Sequence, residues 1–360
     1  MCTPARFSLT AVALATTLAQ AAFANEQTHN DVVVTATRAE VNARDVLADV
    51  TVIDREQLES IAPGRSIGEV LQRFAGVQFN STGGRGTSQG IYIRGAANGY
   101  TLLMIDGVRY GSLTLGSPAL ENIPVELIER IEVLKGPASA LYGSDAVGGV
   151  IQVFTKRGQG ASAPLTGQAS VTLGENGHKS TAAGLRGAQN SFDYYVNLSR
   201  VVDHGISMTN PKDTYNYNQD RDGFDQTAVT AGLGFTLNKD WRADATFMQS
   251  EGTAYADTGS LVNPFVEMRS QATQLKLSGK LSPLLTSKFS IGQSKDKNSN
   301  LGRQGGDSLY ITEQTEYKWD NEFSTPLGLV IAGVEHLDQT IDVNEPASWG
   351  TPSRPRPCRR

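Results

Sequence analysis

Glu132-Val133-Leu134-Lys135-Gly136-Pro137-Ala138-Ser139-Ala140-Leu141-Tyr142-Gly143-Ser144-Asp145-Ala146-Val147-Gly148-Gly149-Val150-Ile151 is the stretch on which the fold turns. Ile123–Leu134 reads as a helical turn that runs into a strand, and Lys135–Ile151 closes the region. Outward toward the N-terminus, Ile91–Gly95 and Thr101–Arg109 are two strands around Ala96–Tyr100. Asp106-Gly107 is a tight-turn dipeptide. Val77-Gln78-Phe79 leads into the glycine-rich loop Ser81–Gly86. Ser66 caps a helix with Ile67, Val70, Leu71 and Phe74 on one face, Glu69 completes a capping box, and Gly76 ends it. Thr51–Ile53 is a strand, and Asp54 caps a further helix through Leu58 and Ile61. Residues 41–158 thus form a small α+β domain.

Residues 1–24 read as a secretory signal. Arg6 is the single charge, Phe7–Ala22 is mostly apolar, and Ala22-Phe23-Ala24 has the small-x-small pattern of a cleavage site. Residues 25–40 follow as a periplasmic segment. Within it Asp31-Val32-Val33-Val34-Thr35-Ala36-Thr37-Arg38 is β-prone, lies outside any core and has no hairpin partner nearby. Such a segment can add as a strand to the edge of a partner's sheet.

Composition excludes several classes. The chain has 360 residues and a formal net charge of −5, which argues against a general nucleic-acid binder. Cys2 and Cys358 stand at opposite extremities, and His29, His178, His204 and His336 are scattered, so no disulfide framework or zinc site can be assembled. Beyond the first 24 residues no apolar run reaches the ~18 residues of a transmembrane helix. No GxxxxGK[ST], GxSxG or HExxH motif is present, and no catalytic constellation stands out.

Residues 159–345 alternate. Phe192, Tyr194, Val196 and Leu198 oppose Asp193, Tyr195, Asn197 and Ser199. Val229, Ala231, Leu233 and Phe235 oppose Thr230, Gly232, Gly234 and Thr236, and the pattern recurs at Trp241–Phe247 and Leu275–Leu281. Short turns such as Asn238-Lys239-Asp240 and Ser282-Pro283 alternate with longer polar stretches such as Ser207–Gln226 and Ser250–Glu267. This predicts about nine antiparallel strands of a transmembrane β-barrel, with a soluble sandwich as the alternative.

The motifs Ile93-Arg94-Gly95, Ile105-Asp106-Gly107-Val108-Arg109, Glu132–Pro137 and Leu141–Ile151, in this order, resemble the plug domain of TonB-dependent outer-membrane receptors. Asp31–Arg38 resembles a TonB box. The wording is closest to the cobalamin receptors of that family, with ferric-siderophore or haem receptors as the alternative. The resemblance implies an outer-membrane receptor of a Gram-negative bacterium that is not an enzyme. It implies uptake of a large scarce nutrient, with energy from TonB pairing with the box. It also implies a barrel of about 22 strands around the plug. Geometry agrees: ten strands give a diameter of roughly 20 Å, whereas a plug of this size needs some 35 Å. The chain therefore reads as a plug plus under half a barrel. Residues 346–360, rich in Pro and Arg, read as an aberrant tail from a frameshift or early stop. A non-transporting fragment that only binds TonB is the reading from another class.

Candidate ligand contacts are Thr82, Arg85, Ser88 and Gln89 in one loop and Asn98 and Tyr100 in the next. Their neighbouring glycines suit close backbone approach to a bulky polar ligand. Asp220, Asp222 and Asp225, with Asp213 and Asp257 nearby, form a carboxylate-rich stretch suited to calcium. Asp220-Arg221-Asp222-Gly223-Phe224 matches the calcium-binding Asp-x-Asp-Gly-Phe loop that the cobalamin receptors carry, although Arg221 puts a positive charge into it.

Overall fold

The computed structural model describes residues 33–34, 38, 41–42, 48–60 and 65–344, the last stretch without 159–160, 162, 211, 213–219, 256–263, 303–305 and 327. The expected signal, the tail, and Asp31, Val32, Thr35, Ala36, Thr37, Asp213 and Asp257 lie outside the described residues.

Strand β1 (Val33–Val34) pairs antiparallel with β2 (Val41–Asn42), Val34 opposite Val41. The expectation that this segment lacks a partner strand is therefore corrected. Lone strand backbone leaves donors and acceptors unpaired, and β-prone residues a few positions on satisfy them.

The α+β domain contains β3 (Asp49–Ile53), α1 (Arg55–Glu59), α2 (Ile67–Ala75), β4 (Gln78–Ser81), β5 (Gln89–Tyr92), β6 (Thr101–Ile105), β7 (Val108–Tyr110), β8 (Ile128–Lys135), α3 (Ser139–Tyr142) and β9 (Gly149–Thr155). Both predicted caps form as full capping boxes, Asp54 with Gln57 and Ser66 with Glu69. Five strands make a mixed sheet in the order β3-β8-β9-β6-β7, in which β6 and β9 run parallel. The hairpin β4–β5 stands apart from it. Ile53, Leu71, Ile91, Leu103, Ile131 and Ile151 are fully buried at the centre of the core.

Two strand expectations are adjusted. The strand expected over Ile91–Gly95 ends at Tyr92, because Arg94 (φ 51°) and Gly95 (φ 77°) turn the chain. Thr101–Arg109 is cut into β6 and β7 by Asp106 (φ 50°) and Gly107 (φ 89°), the two successive positive φ values of a type I′ hairpin turn. The Asp106 carboxylate fixes this turn by accepting from Thr155 N (3.1 Å), Thr155 Oγ1 (2.6 Å) and Arg157 Nη2 (2.9 Å).

Beyond the domain run nine strands, each antiparallel to the next: β10 (Thr166–Leu173), β11 (Lys179–Gln189), β12 (Phe192–Asp203), β13 (Phe224–Thr236), β14 (Trp241–Tyr255), β15 (Phe265–Ser282), β16 (Leu285–Leu301), β17 (Ser308–Thr325) and β18 (Gly328–Asn344). Tight connections such as 190–191, 237–240 and 283–284 gather at one end. The strand ends that flank the longer ones, Asp203 and Phe224, Tyr255 and Phe265, and Leu301 and Ser308, gather at the other.

The polarity of this sheet is inverted relative to a soluble protein. Leu198, Leu233, Phe235, Leu275, Ile291 and Trp319 are exposed on the outer face. Thr230, Ser250, Ser270, Ser294, Gln314 and Glu316 are buried on the inner face. An apolar outer band and a polar interior are what lipid on one side and a plug on the other require, and they exclude the sandwich alternative. The plug seats on the inner face through polar contacts. Asn122 Nδ2 donates to Ser250 O (2.9 Å) and Ser270 Oγ (3.2 Å), Ser294 Oγ donates to Arg109 O (2.8 Å), and Tyr110 Oη donates to Asp296 Oδ1 (3.1 Å).

Candidate functional site

Two places on the plug bring the predicted residues into contact with the sheet: Arg38 in the half nearer the tight turns, and the β4–β5 loop at the long-loop end.

Arg38, the last residue of the TonB-box-like segment, has a positive φ of 67°. Its backbone N donates to Tyr142 Oη (3.2 Å), and its guanidinium lies over the Tyr142 ring at 5.0 Å. Nη1 donates to Asp320 Oδ1 on β17 (3.2 Å), and Nη2 donates to Glu335 on β18. Only 14% of the side chain is exposed. Burial opposes the charge on Arg38, but Glu335 and Asp320 outweigh it and hold the guanidinium more firmly protonated than usual. Burial pushes the Tyr142 hydroxyl up to about 12.

Glu335 is shared. Arg109 Nη2 also reaches it (3.2 Å), while Arg109 Nη1 pairs with Asp145 (2.9 Å) and Nη2 donates to Tyr142 O (2.8 Å). Lys318 Nζ donates to Gly107 O (3.3 Å) and pairs with Glu316 (2.6 Å). The box-like segment, the plug and two wall strands thus meet in one charged knot. Such a knot is high-stakes, because removing one member leaves buried charge uncompensated. Asp320 and Glu335 escape notice in the sequence. The available signal was their place on the inner, polar phase of the alternation, which does not say what they face.

At the other end the loop between β4 and β5 is folded on itself. Thr82 N donates to Ser88 O (3.1 Å), and Thr87 Oγ1 donates to Gly84 O (2.8 Å). Gly86 (φ 80°) packs on Phe224, and a Cβ there would stand 2.4 Å from that ring. The six predicted ligand contacts divide. Thr82, Ser88 and Tyr100 are exposed. Arg85 points beneath the loop, 9% exposed, 3.5 Å from Glu126 and 5.2 Å over the Phe224 ring. Gln89 is buried, and its N donates to Glu121 Oε1 (3.1 Å). Asn98 Oδ1 accepts from Ile91 N (2.9 Å), which fixes one loop to the other strand. Arg85, Gln89 and Asn98 therefore serve the plug's own structure in this state.

The three predicted calcium ligands do not converge. Asp225 pairs with Arg200 (2.9 Å), and Asp222 Oδ2 accepts from Met208 N (2.7 Å) beneath the 204–223 connection. Among the described residues no three His, Cys, Asp or Glu side chains are grouped to hold a metal. β-strand register turns Asp225 to the outer face, toward Arg200 across the β12–β13 pair.

Residues 42–150 match the TonB-dependent Receptor Plug Domain family. The chain is 33% identical over 342 residues to a vitamin B12 transporter BtuB of Photobacterium profundum, covering 91% of this chain and 53% of that relative. It is 28% identical to one of Vibrio vulnificus, covering 96% and 56%. The chain spans about half the length of the curated relatives it matches. Among solved structures it resembles the ferric enterobactin receptor PfeA of Pseudomonas aeruginosa (TM-score 0.65, 19% identity, 86% of this chain and 51% of that one). It also resembles the siderophore receptor PirA of Acinetobacter baumannii (TM-score 0.64, 21% identity, 89% and 52%). These two likenesses speak for the fold alone. Residues 42–150 thus form a TonB-dependent receptor plug domain with its motifs in order, and the nine strands of inverted polarity packed against it have the fold of the receptors it resembles.

Proposed function

We propose that the chain is the plug and the first nine strands of a receptor in the outer membrane of a Gram-negative bacterium, and that the receptor takes up cobalamin. TonB would supply the energy by pairing with the segment Asp31–Arg38. The single observation that carries the coupling is Arg38, the end of that segment, tied at once to Tyr142 of the plug and to Asp320 and Glu335 of the wall. A pull on the segment is applied directly to the plug–wall seam. Pairing with TonB would either extend the β1–β2 pair at the other edge of β1 or replace β2 in it.

The sequence likeness to vitamin B12 transporters favours cobalamin over a ferric siderophore or haem. It runs over 91% of the chain, plug and strands together, and so favours a receptor over a fragment that only binds TonB. Calcium remains part of the reading. It would draw on Asp220 and Asp222 together with carboxylates outside the described residues. The test is equilibrium binding of cyanocobalamin and of a ferric catecholate to membranes carrying the receptor, with calcium or with a chelator. Saturable cyanocobalamin binding that weakens in chelator is expected. Binding of the ferric catecholate alone would overturn the cobalamin assignment.

A further inference from the structure

Both wall carboxylates that hold Arg38 stand beside a wall lysine that is turned elsewhere. Glu335 on β18 is the direct cross-strand partner of Lys318 on β17. Asp320 on β17 is the direct partner of Lys288 on β16. Residues directly opposite in an antiparallel pair share one face, with Cβ atoms about 4.5–5.5 Å apart, so each lysine is within reach of its acid. Among the described residues neither ion pair forms. Lys318 Nζ instead donates to Gly107 O of the plug (3.3 Å) and pairs with Glu316 (2.6 Å), while Lys288 pairs with Glu322.

Occupancy of Glu335 explains why Lys318 is diverted. Arg38 Nη2 holds its Oε2, and Arg109 Nη2 holds its Oε1 (3.2 Å). With both oxygens taken, the Lys318 ammonium turns one hydrogen to the Gly107 carbonyl. A lysine prefers a carboxylate to a carbonyl, because both partners are then charged. Vacating Oε2 therefore draws Lys318 across the β17–β18 pair. It can move without stranding Glu316, since an ammonium carries three hydrogens. The group it leaves is the carbonyl of Gly107, in the type I′ turn between β6 and β7.

We propose that Lys318 hands the loss of Arg38 on to the plug: when Arg38 leaves Glu335, the Lys318 ammonium moves from Gly107 O to Glu335 Oε2 and frees the Asp106-Gly107 turn from the wall. The inference rests on the reading that TonB draws Asp31–Arg38 out of its seat. One movement then has two effects. It neutralises the carboxylate that Arg38 abandons, which a half-buried charge network requires. It also carries the event to the β6–β7 hairpin at the edge of the plug's sheet. A two-state side chain biased from both sides is what physical coupling between two sites needs.

Hydrogen exchange of the full chain in micelles tests this without TonB, with Arg38→Ala standing for withdrawal. The readout is the Asp106 amide, which donates to Val153 O (2.8 Å), and the Val108 amide across the turn. Both should exchange about tenfold faster in Arg38→Ala, the effect of one lost bond to a charged donor, while β8 and β9 amides keep their rates. Glu335→Gln offers Lys318 no carboxylate, so in that background Arg38→Ala should leave the turn unchanged. In Lys318→Met the turn should be fast from the start, and Arg38→Ala should add nothing. An unchanged turn in Arg38→Ala overturns the proposal. So does an equal rise in the Glu335→Gln background, or a rise shared by β8 and β9. TonB's periplasmic domain added to the unsubstituted chain should reproduce the rise. If Arg38→Ala gives it and TonB does not, the hand-over by Lys318 stands and the reading of Asp31–Arg38 as TonB's handle falls.

Discussion

Arg38 shows how much one residue can carry. Three of its partners, Tyr142, Asp320 and Glu335, are 104, 282 and 297 residues away in sequence. Among the described residues, Arg38 and the β1–β2 pairing are what hold the box-like segment. Arg38→Ala should therefore raise the affinity of the unliganded receptor for TonB's periplasmic domain about tenfold, since a hydrogen bond to a charged group contributes about 1.5–3 kcal/mol. Fluorescence anisotropy in micelles would measure it, and an unchanged affinity would show that Arg38 does not restrain the box. Glu121 offers a second handle. Burial raises its carboxyl to about 7, Asp296 adds to this, and backbone N–H groups including Gln89 N work against it. The folded state thus holds the proton more tightly than the unfolded one. The resulting stabilisation is complete below pH 4.5 and is lost as pH rises through about 7, an effect of about 3 kcal/mol. Glu121→Gln should flatten that slope, read by hydrogen exchange at the plug amides across this window. None of this is legible in the sequence, because Glu121 and Arg38 owe their roles to groups folding places beside them.

At the scale of elements the sequence speaks more clearly. Both capping boxes, the Asp106-Gly107 turn and the phase of β12 to β15 are local, and local rules place them. Where it fails, the competing term is also identifiable. Ile93 continues the apolar pattern of β5, but Arg94 and Gly95 take positive φ and end the strand. Asp225 continues a run of loop carboxylates, but it already belongs to β13 and faces outward to Arg200. The pairing of β1 with β2 was missed because two-residue strands carry almost no periodic signal. That pairing makes a prediction. Strand addition to TonB needs the backbone N–H groups of the segment, and proline supplies none. Val34→Pro should weaken TonB binding by tenfold or more in a pull-down from membranes while cyanocobalamin binding is unchanged. If both fall together, the substitution has damaged the plug instead.

For the molecule as a whole the decisive feature is the inversion of polarity between the plug core and the sheet packed against it. The plug buries Ile, Leu and Val as any water-soluble domain does. The sheet buries Ser, Thr, Gln and Glu against it and turns its leucines and aromatics away. Alternation alone cannot say which phase faces inward; the plug supplies that answer, because its surface is polar and hydrogen-bonds to the sheet. The cost of a misplaced charge then depends on depth. Leu275 is 56% exposed and near the middle of the apolar band. In water, Leu275→Arg would alter stability by no more than about 0.5 kcal/mol, like other exposed substitutions. In lipid it should cost about 2–4 kcal/mol, whereas Gln271→Arg, four residues nearer the long loops on the same outward phase, should cost about 0–1 kcal/mol. Urea titration of folding into thin phosphatidylcholine bilayers, followed by tryptophan fluorescence, measures both. Equal and small effects at Leu275 and Gln271 would place the outer face in water. A steep difference between them places it in the membrane, with Gln271 at the edge of the apolar band.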